Sequence, residues 1–202
     1  ISAIWNDRVV KHQEYTARIP FSDFKVFDFI CQSLPKNSQL QVSNSSAIRY
    51  LQLFDLDKSI QVFCNRGTSG IDGSTSTAIG AALASDLPTM LITGDISFLY
   101  DSNALWNNYI PKNFKIILLN NSGGGIFRIL PGHQETETFN TYFETSHQLN
   151  ALHLAKMYGF DYYTATDEDS LKTSYKSFLN QNNKPCILEI FTPEKSNNRI
   201  LL

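Results

Sequence analysis

Short apolar runs alternate with helix-length segments along most of the chain. The runs at 40–43, 60–64, 89–93, 114–119, 160–163 and 186–191 predict strands. Between them lie helical patterns. Residues 21–34 put Phe24, Phe27, Phe29 and Ile30 near helical spacing and stop before Pro35. A helix over 47–54 is opened by Asn44-Ser45-Ser46, all good N-cap types. An Ala/Gly-rich helix over 75–85 is slim enough to pack closely on a sheet. Helices also follow at 98–109, 148–158 and 167–180, with Thr166 and Asp169 resembling a capping box before the last. The strands are apolar on both faces and each is separated from the next by a helix-length segment. That is the pattern of an α/β fold, an open parallel sheet with helices on both faces. Residues 1–20 read as a leading segment, and 121–147, rich in Gly, Thr, Glu and Asn, read as one long loop. There is no internal repeat and no low-complexity run.

Composition narrows the function classes. With 202 residues, 42% hydrophobic and 18% charged, the chain has the make-up of a globular protein and the length of one domain or slightly more. Lys plus Arg is 17 and Asp plus Glu is 19, so no basic excess points to nucleic acid or to a polybasic membrane anchor. No run of 18 apolar residues predicts a membrane span. Cys31, Cys64 and Cys186 are far apart and form neither a disulfide framework nor a CxxC pair, which fits a reducing cytoplasm. His12, His133, His147 and His153 form no HExxH or HxH pair, which argues against zinc. The first residue is Ile1 and no signal peptide follows it, so the chain reads as a piece of something longer.

Ligands of an open parallel sheet bind at the carboxyl ends of its strands. There the predicted strands are followed by Asn44-Ser45, by Asn65-Arg66-Gly67, by Gly94-Asp95-Ile96-Ser97, and by Asn120-Asn121-Ser122-Gly123-Gly124-Gly125. Asn, Asp and Gly also make turns for their own sake, but four such ends in succession point to a site. The two later strands end more blandly, in Thr164 and in Thr192-Pro193. Asp95 offers a carboxylate, Asn121 an amide oxygen and the glycine loop its carbonyls. Hard oxygen donors carrying one formal charge suit Mg²⁺, with phosphate oxygens and water completing the octahedron. Helix N-termini after Ser45 and Asp95 would suit the anion. Neither a Walker A lysine motif nor GxGxxG occurs.

These residues carry a resemblance. Gly94-Asp95-Ile96, 23 residues, then Asn120-Asn121 resembles the GDG…NN signature of thiamine-diphosphate enzymes, with Ile96 in place of the last Gly and a slightly short spacer. The longer strings Asn65-Arg66-Gly67-Thr68-Ser69-Gly70-Ile71-Asp72-Gly73, Gly94-Asp95-Ile96-Ser97-Phe98-Leu99-Tyr100-Asp101 and Asn120-Asn121-Ser122-Gly123-Gly124-Gly125-Ile126-Phe127 are similar to those of the 2-succinyl-5-enolpyruvyl-6-hydroxy-3-cyclohexene-1-carboxylate synthases of menaquinone biosynthesis, where Ile or Leu after Gly-Asp is usual. The likeness is strongest over roughly residues 40–135 and corresponds to the C-terminal, diphosphate-binding domain.

The resemblance implies a set of roles. Asp95, Asn121 and the Gly123 carbonyl would bind Mg²⁺ (or Mn²⁺), and Gly94, Ile96 and Ser97 would contact the diphosphate of thiamine diphosphate. Ile71 would prop the cofactor in its bent shape, and Ser69 would line the pyrimidine pocket. The implied substrates, 2-oxoglutarate and isochorismate, each carry two carboxylates. Arg49 and Arg66 are the natural readers of them, with Ser45 in support and Ile126, Phe127 and Leu130 as an apolar wall. The implied reaction is decarboxylation of 2-oxoglutarate followed by 1,4-addition to isochorismate. Residues 1–202 would be a single C-terminal diphosphate- and Mg²⁺-binding domain of a homo-oligomeric transferase. The Glu that activates the cofactor would come from a missing N-terminal domain and the rest of the site from a second subunit; Glu135, Glu137 and Glu144 lie in the wrong context to replace it. Two alternatives stay open. One is another thiamine-diphosphate enzyme, of the acetolactate synthase or 2-oxoacid decarboxylase type; the other is a cofactor-binding module inactive by itself.

Overall fold

A computed structural model describes residues 2–132 and 134–201; Ile1, His133 and Leu202, and the expectations attached to them, lie outside the described residues. The chain runs α1 (Ser2–Arg18), α2 (Asp23–Ser33), β1 (Gln39–Val42), α3 (Ser46–Leu51), β2 (Gln61–Cys64), α4 (Ser74–Ala84), β3 (Thr89–Gly94) and α5 (Asp95–Tyr100). A 3₁₀ turn (Ser102–Trp106), β4 (Lys115–Asn120), α6 (Ile126–Ile129) and one π-helical turn (Phe139–Glu144) follow. The described chain closes with α7 (Leu152–Tyr158), β5 (Asp161–Ala165), α8 (Glu168–Asn180), β6 (Cys186–Phe191) and α9 (Asn197–Leu201).

The six strands form one sheet in the order β2-β1-β3-β4-β6-β5, and every pair is parallel. Alternation along the central strands feeds two apolar layers. Met90 and Ile92 of β3 with Ile117 and Leu119 of β4 face α2, α3 and α8 through Phe24, Phe27, Ile30, Ile48 and Phe178. Leu91, Ile116 and Leu118 face the other way, towards Ala78 and Ile79 of α4, Phe98 of α5 and Ala155 of α7. Both faces of the sheet are therefore covered by helices, as the sequence predicts. From β1 the chain first adds β2 on one side and then returns to place β3 on the other. That reversal opens a crevice beyond the ends of β1 and β3, where parallel sheets hold ligands.

Several local expectations are corrected. β2 is an edge strand whose Gln61, Val62 and Phe63 are exposed, so it is not covered on both faces. The 1–20 segment is largely the helix α1. α3 is shorter than 47–54 and is not capped by a side chain; Ser45 stands before it at φ 72°, ψ −131°. The 98–109 helix starts earlier, at Asp95, and breaks at Asp101, whose carboxylate accepts hydrogen bonds from Ser76 N (2.7 Å) and Ser76 Oγ (3.0 Å) in the first turn of α4. α7 begins at Leu152 rather than 148 because the preceding backbone is used elsewhere: Leu149 O accepts from Asn120 Nδ2 and Ala151 N donates to Glu189. The box before α8 is Asp167 with Ser170, one residue on from Thr166 and Asp169; Ser170 N donates to Asp167 Oδ1 at 2.8 Å and Asp167 N to Ser170 Oγ at 3.1 Å. The 121–147 loop carries α6 and the π-helical turn. Among the described residues no helix is long and apolar enough to cross a membrane.

Candidate functional site

The ends of β2, β1, β3 and β4 lie side by side, so the four polar strand ends form one edge. A cleft of about 240 Å³ opens there. Of the residues singled out from the sequence, Ser45, Ile71, Gly94, Asp95, Ile96 and Ser97 line it, together with Asn121, Gly123, Ile126 and Phe127. Arg49, Arg66, Ser69 and Leu130 do not.

The β3–β4 end is tightly built. Asp95, the first residue of α5, is buried, with Oδ1 accepting from Ile96 N (2.7 Å) and Oδ2 from Gly123 N (2.9 Å). Asn121, one residue past β4, is also buried; its Nδ2 donates to Asp23 Oδ2 at 3.0 Å. Its Oδ1 has no hydrogen-bond partner among the described residues. Buried polar atoms are rarely left so. Asn120 turns to the other side, where Nδ2 donates to Glu189 (2.6 Å) and Oδ1 accepts from Ser122 N (3.1 Å), fixing the start of the glycine loop. Glu189 is fully buried and also accepts from Ala151 N and from Tyr162 OH.

Three residues not singled out from the sequence surround this end. Asp23, at the start of α2, accepts from Thr192 Oγ1 (2.5 Å) as well as from Asn121. Burial pushes its carboxyl up to about 6, against the hydrogen bonds from Thr192 and Asn121 and with the Asp95 charge adding to the rise. His147 places Nε2 3.3 Å from Asp95 Oδ2, and that carboxylate holds the imidazole pKa above its ordinary value. Its Nδ1 accepts from Leu149 N at 3.1 Å. Tyr50, stacked on Phe27, lines the same cleft with a buried hydroxyl that has no partner among the described residues. Asp23 follows Ser22 and reads locally as an ordinary first-turn acid; nothing near it in sequence marks its contact with Asn121, 98 residues away.

The glycine loop is roofed by the π-helical turn. Gly124 N donates to Glu144 O at 2.6 Å. A Cβ on Gly123 would stand 2.8 Å from Glu144 O, so only glycine lets the two segments meet. Arg128 of α6 ties the roof down: its guanidinium grips both carboxylate oxygens of Glu144, reaches Glu135 at 2.5 Å, and lies over the Phe139 ring. Arg128 and Glu144 are both almost fully buried. Of the three glutamates considered from the sequence, Glu135 and Glu144 are thus engaged by one arginine, and Glu137 is exposed.

The β1–β2 end is open. Arg49 is exposed and donates from Nη1 to Ser45 O at 2.9 Å. Arg66 is exposed and donates from Nη1 to Asn44 Oδ1 at 2.5 Å, while Asn44 Nδ2 donates to Ser69 O. Ser45 and Thr145, which line the cleft, hold positive φ of 72° and 49°, and Ser69 (60°) and Ser122 (66°) do so in the neighbouring loops. Such strain gathers at ligand sites. Ser97 Oγ donates to Ile71 O at 2.5 Å, joining two of the residues expected at the cofactor. Leu130 is exposed beyond the cleft, in a shallower groove with Phe127 and Phe143.

The donor set can be tested against a metal. Asp95 supplies a carboxylate, Asn121 an unpartnered amide oxygen, and Gly123 a carbonyl that has one protein partner, Gly125 N. These are hard oxygens and fit Mg²⁺ or Mn²⁺ if a ligand's phosphate and water fill the remaining positions. Among the described residues no group of three or more His, Cys, Asp and Glu side chains could hold a metal unaided.

Residues 44–190 match a family model described as thiamine pyrophosphate enzyme, C-terminal TPP binding domain. Among curated proteins, the chain is 66% identical over 201 residues, all of its length, to a 2-succinyl-5-enolpyruvyl-6-hydroxy-3-cyclohexene-1-carboxylate synthase of Flavobacterium johnsoniae, and covers 36% of that protein. It is 69% identical over 195 residues to the protein of the same name from Flavobacterium psychrophilum, covering 96% of the chain and 35% of that relative. A Bacteroides fragilis relative of that name is 43% identical over 185 residues, 91% of the chain and 33% of that protein. The chain spans about a third of the length of the curated relatives it matches.

Proposed function

The chain belongs to the thiamine pyrophosphate enzymes, as a C-terminal TPP binding domain, and from that premise we propose that residues 1–202 form the diphosphate- and Mg²⁺-binding domain of a longer 2-succinyl-5-enolpyruvyl-6-hydroxy-3-cyclohexene-1-carboxylate synthase. The observation that carries the metal reading is the buried, unpartnered Asn121 Oδ1 in the same cleft as Asp95, at the ends of adjacent strands. Asp95, Asn121 Oδ1 and the Gly123 carbonyl hold Mg²⁺ (or Mn²⁺). Gly94, Ile96 and Ser97 border the diphosphate, and Ile71 and Ser69 border the rest of the cofactor. When bound, the cofactor supplies the electron sink that lets a 2-oxoacid lose carbon dioxide.

This chain's residues then bind and orient. The substrates are 2-oxoglutarate and isochorismate, and the product is the one named in the relatives, a step in menaquinone biosynthesis in the cytoplasm. Arg49 and Arg66 pair with substrate carboxylates by charge-assisted, forked hydrogen bonds, with Ser45 beside them. Ile126, Phe127 and Leu130 exclude water from the reacting centre. The proton relay to the cofactor needs a carboxylate from outside this chain, because Glu135 and Glu144 are held by Arg128 and Glu137 is exposed and does not line the cleft. A preceding domain and a second subunit supply it. The names and identities of the relatives support this reading over that of an acetolactate synthase or 2-oxoacid decarboxylase.

The test is turnover by the intact protein with thiamine diphosphate and Mg²⁺. Carbon dioxide release from 2-oxoglutarate, coupled to consumption of isochorismate, is expected. Turnover of pyruvate with no response to isochorismate would overturn the substrate assignment.

A further inference from the structure

Asn121 has an amide with two nearly isosteric ends, of which only the oxygen can ligate a cation. Which end faces the cleft is decided by what the other end meets. Here it meets Asp23 Oδ2, an acceptor, at 3.0 Å. With the amide reversed, two oxygens would face each other across that distance. Asp23 is itself held: Thr192 Oγ1 donates to its other oxygen at 2.5 Å, and its backbone N donates to Asn197 Oδ1 at 2.9 Å. A Cβ on Gly125 would stand 3.2 Å from Asn121 Nδ2, so the amide is also packed closely from the glycine loop.

We propose that Asp23 is a positioning residue for the divalent cation: it turns the Asn121 amide so that Oδ1 faces the metal. This rests on the metal reading given above. Asp23, Thr192 and Asn197 come from α2, the end of β6 and α9, and all three lie outside residues 44–190, the part matched by the cofactor-binding family model. The device therefore joins the elements at both ends of the described chain to the metal end of the sheet. Partners that orient a metal ligand typically change metal affinity by about 10–100-fold when removed.

The experiment is Mn²⁺ binding to the intact protein in the presence of thiamine diphosphate, followed by the electron paramagnetic resonance of free Mn²⁺. Asp23→Ala should weaken Mn²⁺ binding by about 10–100-fold. Asp23→Asn should restore part of the loss, because an amide oxygen can accept the same N–H, and it carries the test if Asp23→Ala does not fold. Thr192→Val removes a hydrogen bond that holds Asp23 but not the contact with Asn121; it should weaken Mn²⁺ binding by less than Asp23→Ala does, because members of one hydrogen-bond network are coupled, and a loss larger than that of Asp23→Ala would contradict the proposal. On an Asn121→Ala background, Asp23→Ala should add little further loss, because the route through the amide is gone. Wild-type Mn²⁺ affinity in Asp23→Ala, or the same fold-loss with and without Asn121, would overturn the proposal while leaving the metal site intact. Wild-type affinity in Asn121→Ala would remove the metal reading itself.

Discussion

The two halves of the strand-end edge are built differently. At the β3–β4 end the strand-end side chains are held by protein partners: Asp95 by Ile96 N and Gly123 N, Asn121 Nδ2 by Asp23, Asn120 by Glu189, and the roof by Arg128. Among the described residues Asn121 Oδ1 is buried without a hydrogen-bond partner, and it is the atom the proposed metal reading uses. At the β1–β2 end Arg49 and Arg66 are exposed, each with a single backbone or amide partner. A metal site needs its donors fixed before the ion arrives, because every rearrangement costs affinity. Guanidinium groups that read a mobile substrate need the opposite, a charge kept accessible. The contrast teaches that one half of the edge is fixed by the chain's own contacts, as the proposed cation–phosphate role requires, and the other is left open, as the proposed substrate role requires.

The largest effect that would separate the halves is on stability. Arg128→Met leaves Glu144 as a buried carboxylate without its partner, and breaking such a pair costs about 3–5 kcal/mol. Chemical denaturation should register that loss, together with weaker cofactor binding as the roof lifts from Gly124. Arg66→Ala, in the open half, should stay within about 0.5 kcal/mol of wild type. If both substitutions cost the same, the contrast between the halves is lost.

The next effect is kinetic and runs the other way. Arg66→Ala and Arg49→Ala should each lower kcat/KM by about 10–100-fold, the value of a charge-assisted carboxylate contact of roughly 1.5–3 kcal/mol. Lys should rescue only part, since an ammonium lacks the fork. Cofactor affinity should hardly change. Kinetics that fall only in step with melting temperature would make these arginines structural.

The smallest effect is a rate of thiol labelling. Cys31 and Cys186 are buried, with their thiols pushed up to about 12 and about 11 by burial, whereas Cys64 on the open β2 strand is half-exposed. Titration with an aromatic disulfide should label Cys64 first and the other two only on unfolding. Simultaneous labelling of all three in the native protein would contradict the covered core.

The order and kind of most elements were legible because the signal is local. β3 and β4 are unbroken apolar runs, and a run apolar on both faces can only be an inner parallel strand when helices flank it. The strand ends were legible for the same reason, and topology placed four of them together. What was not legible depends on contacts across the fold. The break at Asp101 comes from its contacts with Ser76, the late start of α7 from Glu189, and the roof over Gly123 from the Arg128–Glu144 pair. Asp23 is the strongest case: its role lies wholly in its contacts with Asn121, Thr192 and Asn197, which no window of sequence contains. Ser45 illustrates the converse, since a good capping residue by type stands at positive φ beside the cleft and caps nothing.

The central claim is that Asp95 and Asn121 hold the cation through which thiamine diphosphate binds. The most direct measurement is calorimetric titration of the intact protein with thiamine diphosphate, with Mg²⁺ and without it, for the wild type and for Asp95→Ala. The account predicts Mg²⁺-dependent binding in the wild type and its loss in Asp95→Ala at a temperature where both proteins are folded. Equal affinity in the two proteins would contradict it.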